Sequence, residues 1–240
     1  MLRETSLTDI LFLDIETIPA YPNYASAPEP VQELWQRKSS RLFGNERSPD
    51  ESYERAGIYA EFGKVLCISM ARVHRNRDVG NVWISVRSIA GEDESRLLSQ
   101  FSRVLQKENA RPLRLCAHNG KEFDFPFLSR RMLINGITLP RLLDNAGKKP
   151  WEIPHFDTLE MWKFGDYKHY TSLEVLAHVF GIPSPKHLLD GSKVASTWYQ
   201  ENNLSLIRDY CEADVLTLVN VFLRLCQQQP EQELQVEYSR

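Results

Sequence analysis

The segment Ile10-Leu-Phe-Leu-Asp-Ile-Glu16 constrains this 240-residue chain more than any other. Its apolar run has the length of one buried strand. Alternate side chains on a strand share a face, so Asp14 and Glu16 project together and Ile15 projects the other way. Two carboxylates side by side at a buried strand end repel each other and are costly to take out of water. A divalent cation removes that cost, because hard cations prefer oxygen ligands. The plain alternative is a strand that ends at Asp14, with both acids in water. Ile18-Pro19 closes the run, since proline donates no ladder hydrogen bond.

The rest of the chain supplies a core for such a strand. Its hydrophobic fraction of 42% and charged fraction of 25% exclude a disordered polymer. The length fits one domain, residues 1–226, that buries roughly 70% of its unfolded surface. Cys67, Cys116, Cys211 and Cys226 form no C-x-x-C pair, which argues against a disulfide scaffold or cysteine zinc site and for a reducing compartment. With no secretory signal visible, and Val65 to Ala71 as the longest apolar run, the expected location is the cytoplasm, away from membrane.

Residues 20–63 read as a partly helical insertion, with helices over Val31 to Phe43 and Asp50 to Phe62. Strands at Lys64 to His74 and Asn81 to Ser88 flank a turn near Asn76 to Gly80. A helix over Glu92 to Glu108, a strand at Leu113 to Ala117 and a helix over Phe125 to Ile134 follow. After a Lys-, Pro- and Trp-containing loop come a short strand at His155-Phe156 and helices at Thr158 to Lys163, Ser172 to Phe180, Ser192 to Glu201 and Leu204 to Cys226. The polar, glutamine-rich tail, residues 227–240, is expected to fray. This order predicts an α/β fold whose mixed sheet sets a hairpin beside a parallel crossover.

Three further acids stand where acids need a reason. In Tyr210-Cys-Glu-Ala-Asp214, Asp214 lies roughly 200° around the helix from Glu212, at about 100° per residue. It therefore falls outside the polar stripe of Arg208, Asp209, Glu212 and Arg224, among Ile207, Leu218 and Val221. A structural salt bridge would explain it equally. In Ala117-His-Asn-Gly-Lys-Glu-Phe-Asp124, Asn119 and Gly120 suit a tight loop, Phe123 an anchor and Asp124 a helix cap. Asp157-Thr-Leu-Glu160 reads as a capping box. Charge is uneven: residues 111–193 carry 12 Lys and Arg against 9 Asp and Glu, and residues 1–63 carry 6 against 11. This fits either a solvated surface or a mildly phosphate-steering face.

The combination is more specific than its parts. D-x-E on the first strand, N-G-x-x-F-D after a later strand and Y-x-x-x-D on a late helix resemble the DEDD superfamily of 3′–5′ exonucleases. Tyr210, with Asp209 where the other branch has histidine, resembles the DEDDy branch. More narrowly, the chain resembles the bacterial predicted 3′–5′ exonucleases related to the exonuclease domain of family-B polymerases. Gly181-Ile-Pro-Ser-Pro-Lys186 and Asp190-Gly-Ser-Lys-Val194 are similar to that family as well.

The resemblance implies a ribonuclease H-like mixed sheet flanked by helices. It also implies hydrolysis at the 3′ end of nucleic acid, single-stranded DNA in particular. Asp14, Glu16, Asp124 and Asp214 would hold two Mg²⁺ or Mn²⁺ ions, and Tyr210 would orient the attacking water. The backbone at Thr17 and Ile18, together with Asn119 and Phe123, would contact the terminal nucleotides. Asp157 would be an accessory acid nearby. The chain leaves no length for a fused polymerase, so a polymerase or repair partner would act in trans. The rival reading is a non-catalytic nucleic-acid-binding or scaffold module on the same fold, and a metal-dependent nuclease assay separates the two.

Overall fold

A computed structural model of the chain describes residues 6–44, 46–75, 82–108, 112–166, 168–183, 189–228 and 234–239. The expected turn at Asn76 to Gly80 and part of the 181–186 segment lie outside the described residues. The centre is a six-stranded mixed sheet in the order β5-β4-β1-β2-β3-β6. Strand β1 (Ile10–Pro19) pairs antiparallel with β2 (Gly63–Arg75), which pairs antiparallel with β3 (Val82–Ala90). On its other side β1 runs parallel to β4 (Arg114–Ala117), and β4 runs parallel to β5 (Phe156–Asp157). The hairpin beside a parallel crossover is therefore as the sequence predicts.

The alternation of β1 divides the core. Leu11, Leu13 and Ile15 pack on one face with α3 (Glu94–Lys107) and α4 (Asp124–Ile134). Ile10 and Phe12 pack on the other with α8 (Leu204–Leu225). Between α4 and α8 the chain forms α5 (Thr158–Lys163), α6 (Leu173–Val179) and α7 (Val194–Tyr199). Glu94 and Arg131 form a buried ion pair that ties α3 to α4. Glu94 also accepts the Val65 N–H at 2.7 Å, and Arg131 donates to Ala60 O at 2.8 Å. None of the described helices is long and apolar enough to cross a membrane.

Two expectations need correction. The tail is not frayed at Gln235–Ser239, which forms β6 parallel to the edge of β3. Edge pairing rests on backbone hydrogen bonds, so it needs no apolar run to announce it. The second helix of the insertion is also shorter than expected. After α1 (Glu29–Phe43), α2 covers only Pro49–Ser52 and a 3₁₀ turn takes over at Tyr53–Ile58. There a Cβ on Gly57 would sit 3.0 Å from the backbone of Ile18 and Pro19, so the turn lies directly on β1. The insertion has its own small core of Ala27, Trp35, Tyr53 and Ala56, and Trp35 Nε1 donates to Pro49 O at 2.9 Å.

Beside β4, His155 is buried between two backbone groups. Its Nδ1 accepts the Leu115 N–H at 3.2 Å and its Nε2 donates to Leu142 O at 2.6 Å. Burial is the main cause that lowers its pKa from the ordinary 6.5 to about 4. The neutral ring is thus the folded form, and its contribution is complete above the unfolded value and lost as pH falls towards the folded one. In EDTA, the stability advantage of wild type over His155→Gln is expected to shrink by about 2 kcal/mol between pH 7 and pH 5, because the unfolded chain alone takes up this proton. Denaturant midpoints at the two pH values check this. A constant difference would mean that the ring is not held neutral.

Candidate active site

Asp14 and Glu16 continue the face of β1 that carries Ile10 and Phe12, the face covered by α8. The β1–β4 ladder ends at the pair Phe12–Cys116. Beyond it, Asp124 takes over as acceptor: its carboxylate receives the Ile15 N–H as well as its own. Asp124 is therefore not the cap of α4. Phe123 occupies the cap position without a side-chain bond, and Asp124 opens the helix at 4% exposure, turned towards β1. From above, Tyr210 on α8 donates its hydroxyl to Asp214, one turn further on. Asp214 acts electrostatically on both Asp14 and Glu16. Cys211 Sγ lies 3.5 Å from both the carbonyl oxygen and Oδ2 of Asp14.

This convergence puts like charges together in a poorly solvated place. The carboxyls of Asp14 and Glu16 are held well above the usual carboxylate range, first by burial and then by each other's neighbourhood of acids. Burial likewise pushes Asp124 up to about 8. Burial and the adjacent Asp214 raise Tyr210, so its hydroxyl stays protonated at neutral pH. Glu16 is 8% exposed and has no hydrogen-bond donor among the described residues. Glu16 is also crowded by Asp14 and Asp214, a repulsion that a cation would offset.

Asp157 supports the loop that leads to Asp124. Its Oδ1 accepts the N–H groups of Asn119 at 2.9 Å, Leu159 at 2.9 Å and Glu160 at 3.4 Å, and its Oδ2 accepts that of Lys121 at 3.1 Å. It caps α5, but the expected box does not close. Glu160 turns instead to Lys121 Nζ at 2.7 Å. His118 pins the same loop, with Nδ1 accepting from Thr158 Oγ1 and Nε2 donating to Thr171 O, each at 2.9 Å.

Gly120 is required by close approach. A Cβ there would overlap Ala117 Cβ and come within 3.1 Å of the Phe125 ring. Gly120→Ala is expected to destabilise by about 1–3 kcal/mol, the usual consequence of overpacking. Chemical denaturation reads this, and a shift below a few tenths of a kcal/mol would show that the loop has slack.

The structure thus brings Asp14, Glu16, Asp124, Tyr210 and Asp214 together and sets Asp157 behind them. Thr17 is half-buried beside them, but Ile18 is wholly buried, backbone included, under the Gly57 turn and beside Lys64 of β2, so the expected contact of Ile18 with a ligand is not available. Asn119 adopts a left-handed conformation (φ 59°) in the loop, and Phe123 is half-buried with its ring 5.4 Å from that of Phe127.

The sequence reading missed two neighbours and misplaced a third. The sequence assigns Cys211 no role beyond the cysteine count, yet its thiol touches Asp14. Gly191 faces Tyr210, whose hydroxyl oxygen would lie 3.8 Å from a Cβ there. Glu212 does not belong to a solvent stripe but is 3% exposed. Asp14, Ser69 and Ser88 stand in register across β1, β2 and β3. Ser69 and Ser88 share a hydrogen bond of 2.8 Å, and Ser88 donates to Glu212 at 2.8 Å. Cys211 over Asp14 and Glu212 over Ser88 therefore key α8 onto one row of the sheet. The missed signal was a serine in each of two strands opposite an acid on the helix.

A mixed sheet with acids gathered from its first strand, a strand-to-helix loop and a late helix is a ribonuclease H-like α/β fold. The chain belongs to the family of predicted 3′–5′ exonucleases related to the exonuclease domain of PolB, which it matches over residues 58–238. That match begins after β1, so it does not include Asp14 and Glu16. Among solved structures, the family B DNA polymerase from the hyperthermophilic archaeon Pyrobaculum calidifontis is 17% identical, with a TM-score of 0.54 over 90% of this chain and 24% of the polymerase. Apo Exonuclease I is 11% identical, with a TM-score of 0.44 over 91% of this chain and 43% of that one. The chain thus spans about a quarter of the polymerase and less than half of Exonuclease I.

Proposed function

We propose that the protein is a metal-dependent 3′–5′ exonuclease that hydrolyses single-stranded DNA from its 3′ end and releases nucleoside 5′-monophosphates. The family supports the activity class. The observation that carries the assignment to residues is the Asp124 carboxylate bonded to the Ile15 N–H, directly between Asp14 and Glu16. Asp14, Glu16, Asp124 and Asp214 would hold two divalent cations, Mg²⁺ or Mn²⁺, and the mutual repulsion of these crowded acids fits such ligation. Bound there, the ions supply activation of water and offset charge on the leaving 3′ oxygen. Four carboxylates nearly balance two dications, so no lysine is needed among the ligands.

Tyr210, kept neutral by its surroundings, orients the water as a hydrogen-bonding group rather than removing its proton. Thr17 meets the terminal nucleotide, and Asn119 and Phe123 position or stack on the last bases. Asp157 acts through the loop that it holds. The six-stranded sheet, including β6, and its helices form one catalytic unit in which residues 20–63 are an insertion.

The test is a panel of 3′- and 5′-labelled DNA and RNA oligonucleotides with each cation. Stepwise loss from the 3′ end with Mg²⁺ or Mn²⁺, and intact circular single strands, are expected. Cleavage of circles, or no metal-dependent cleavage of any substrate, would refute the proposal. Tyr210→Phe is expected to lower kcat roughly 10²-fold, as loss of one positioned hydrogen-bonding group does, while Mn²⁺ binding by calorimetry stays as in wild type. Lost Mn²⁺ sites in that variant would contradict the assigned role.

A further inference from the structure

Cys211 has no part in the proposed hydrolysis, yet it lies against its centre. One ligand atom each from Asp14, Glu16 and Cys211 lie within 4.8 Å of one another. We propose that these three side chains form a site for a thiophilic divalent cation of the Zn²⁺ type, which occupies the carboxylate centre and inhibits the enzyme. The inference rests on the carboxylates being a metal site, as proposed above.

Three observations support it. The first is distance. At a tetrahedral centre with ordinary zinc–sulfur and zinc–oxygen lengths, sulfur and oxygen ligands stand about 3.5 Å apart. Cys211 Sγ stands 3.5 Å from Asp14 Oδ2 without any rearrangement. The second is Glu16, a carboxylate at 8% exposure with no donor among the described residues, the third corner of the same triangle. The third is the direction of approach. Cys211 arrives from α8 and the two acids from β1, so the three ligands come from two sides.

The chemistry then discriminates between cations. Sulfur adds affinity for Zn²⁺, Co²⁺ or Cd²⁺ and nothing for Mg²⁺, and with mixed ligands Zn²⁺ already exceeds Mn²⁺. On binding, the Cys211 S–H bond is replaced by a sulfur–metal bond and one proton leaves to solvent. With Asp14 and Glu16 committed to this tetrahedral arrangement, the two-ion arrangement cannot assemble.

The test uses the full chain, freed of metal, and Co²⁺ as a coloured stand-in for Zn²⁺. Wild type is expected to develop a thiolate-to-cobalt charge-transfer band with one equivalent of Co²⁺. Cys211→Ser should lose the band and still bind Mn²⁺ in calorimetry, and Cys67→Ser should keep the band. Zn²⁺ inhibition of Mn²⁺-driven hydrolysis should weaken roughly tenfold or more in Cys211→Ser, as loss of a metal contact requires. Zinc-edge X-ray absorption of wild type should show one sulfur among oxygen neighbours, a readout that needs no variant. Wild type that binds Mn²⁺ but shows no cobalt–thiolate band, or a band that survives Cys211→Ser, overturns this inference and leaves the exonuclease reading intact. Wild type that binds neither Mn²⁺ nor Co²⁺ overturns both.

Discussion

Asp14→Asn is expected to lower 3′-end hydrolysis by at least ~10³-fold, a barrier increase of about 4 kcal/mol, and at the same time to raise the melting temperature of the metal-free protein. The first effect follows from removing a charged side chain of the proposed metal site, at the centre of the four acids. The second follows from the cause of the Asp14 shift, which is burial first and then the charges of Asp214 and Asp124. A group whose folded pKa lies above its unfolded value destabilises the fold while ionised, and stability returns as pH falls through the raised value. Wild type without metal should therefore gain stability from pH 8 to pH 5, and Asp14→Asn should gain less.

A neutral amide of the same shape relieves about 1–2 kcal/mol of this at pH 8, a few degrees for a chain of this size. Mn²⁺ should reverse the order, because it stabilises the protein that keeps its carboxylates. Thermal melts in EDTA and in Mn²⁺, beside the nuclease assay, measure both effects. A variant that stays active disproves the assignment, and one that loses stability in EDTA marks Asp14 as a structural anchor.

Asp157→Ala is expected to destabilise the fold by about 3–5 kcal/mol, within the range for removing one partner from a buried charged network. The carboxylate is 2% exposed and accepts four backbone N–H groups, two from the loop at Asn119 and Lys121 and two from the first turn of α5. Alanine would leave all four donors without that partner. Asp157→Asn keeps an oxygen for three of them and opposes an N–H to the fourth, so its loss should be smaller. Since the same loop delivers Asp124, both variants should also lose hydrolysis at temperatures where they remain folded. Denaturant unfolding combined with single-turnover assays tests this. A stability loss below 1 kcal/mol for Asp157→Ala would show that other acceptors or water replace the carboxylate.

Much of the scaffold is legible in local periodicity. The alternation in Ile10 to Glu16 states which side chains share a face, and that face holds in the structure. The helix over Glu94–Lys107 is announced by its apolar stripe, and the hairpin strands by β-branched residues around a polar break. Periodicity failed where burial came from a distant element. Glu212 reads as solvent-facing on a helical wheel, and only β3, which brings Ser88 over it, makes it internal. Strand β6 was invisible because backbone bonds to an open edge hold it, with only Val236 and Leu234 packing inward.

The acids divide in the same way. The sequence by itself determined that Asp14 and Glu16 share a face and that Asp124 and Asp157 each begin a helix or border one. These are consequences of the two- and 3.6-residue repeats, which act over a few neighbours. Only the tertiary structure decided that Asp124 serves the Ile15 N–H instead of capping α4, and that Cys211 touches Asp14 across 197 positions of chain. A repeat fixes the direction of a side chain about its own element. The distance between elements is fixed by how the sheet and α8 close over a shared core, and no local pattern encodes that.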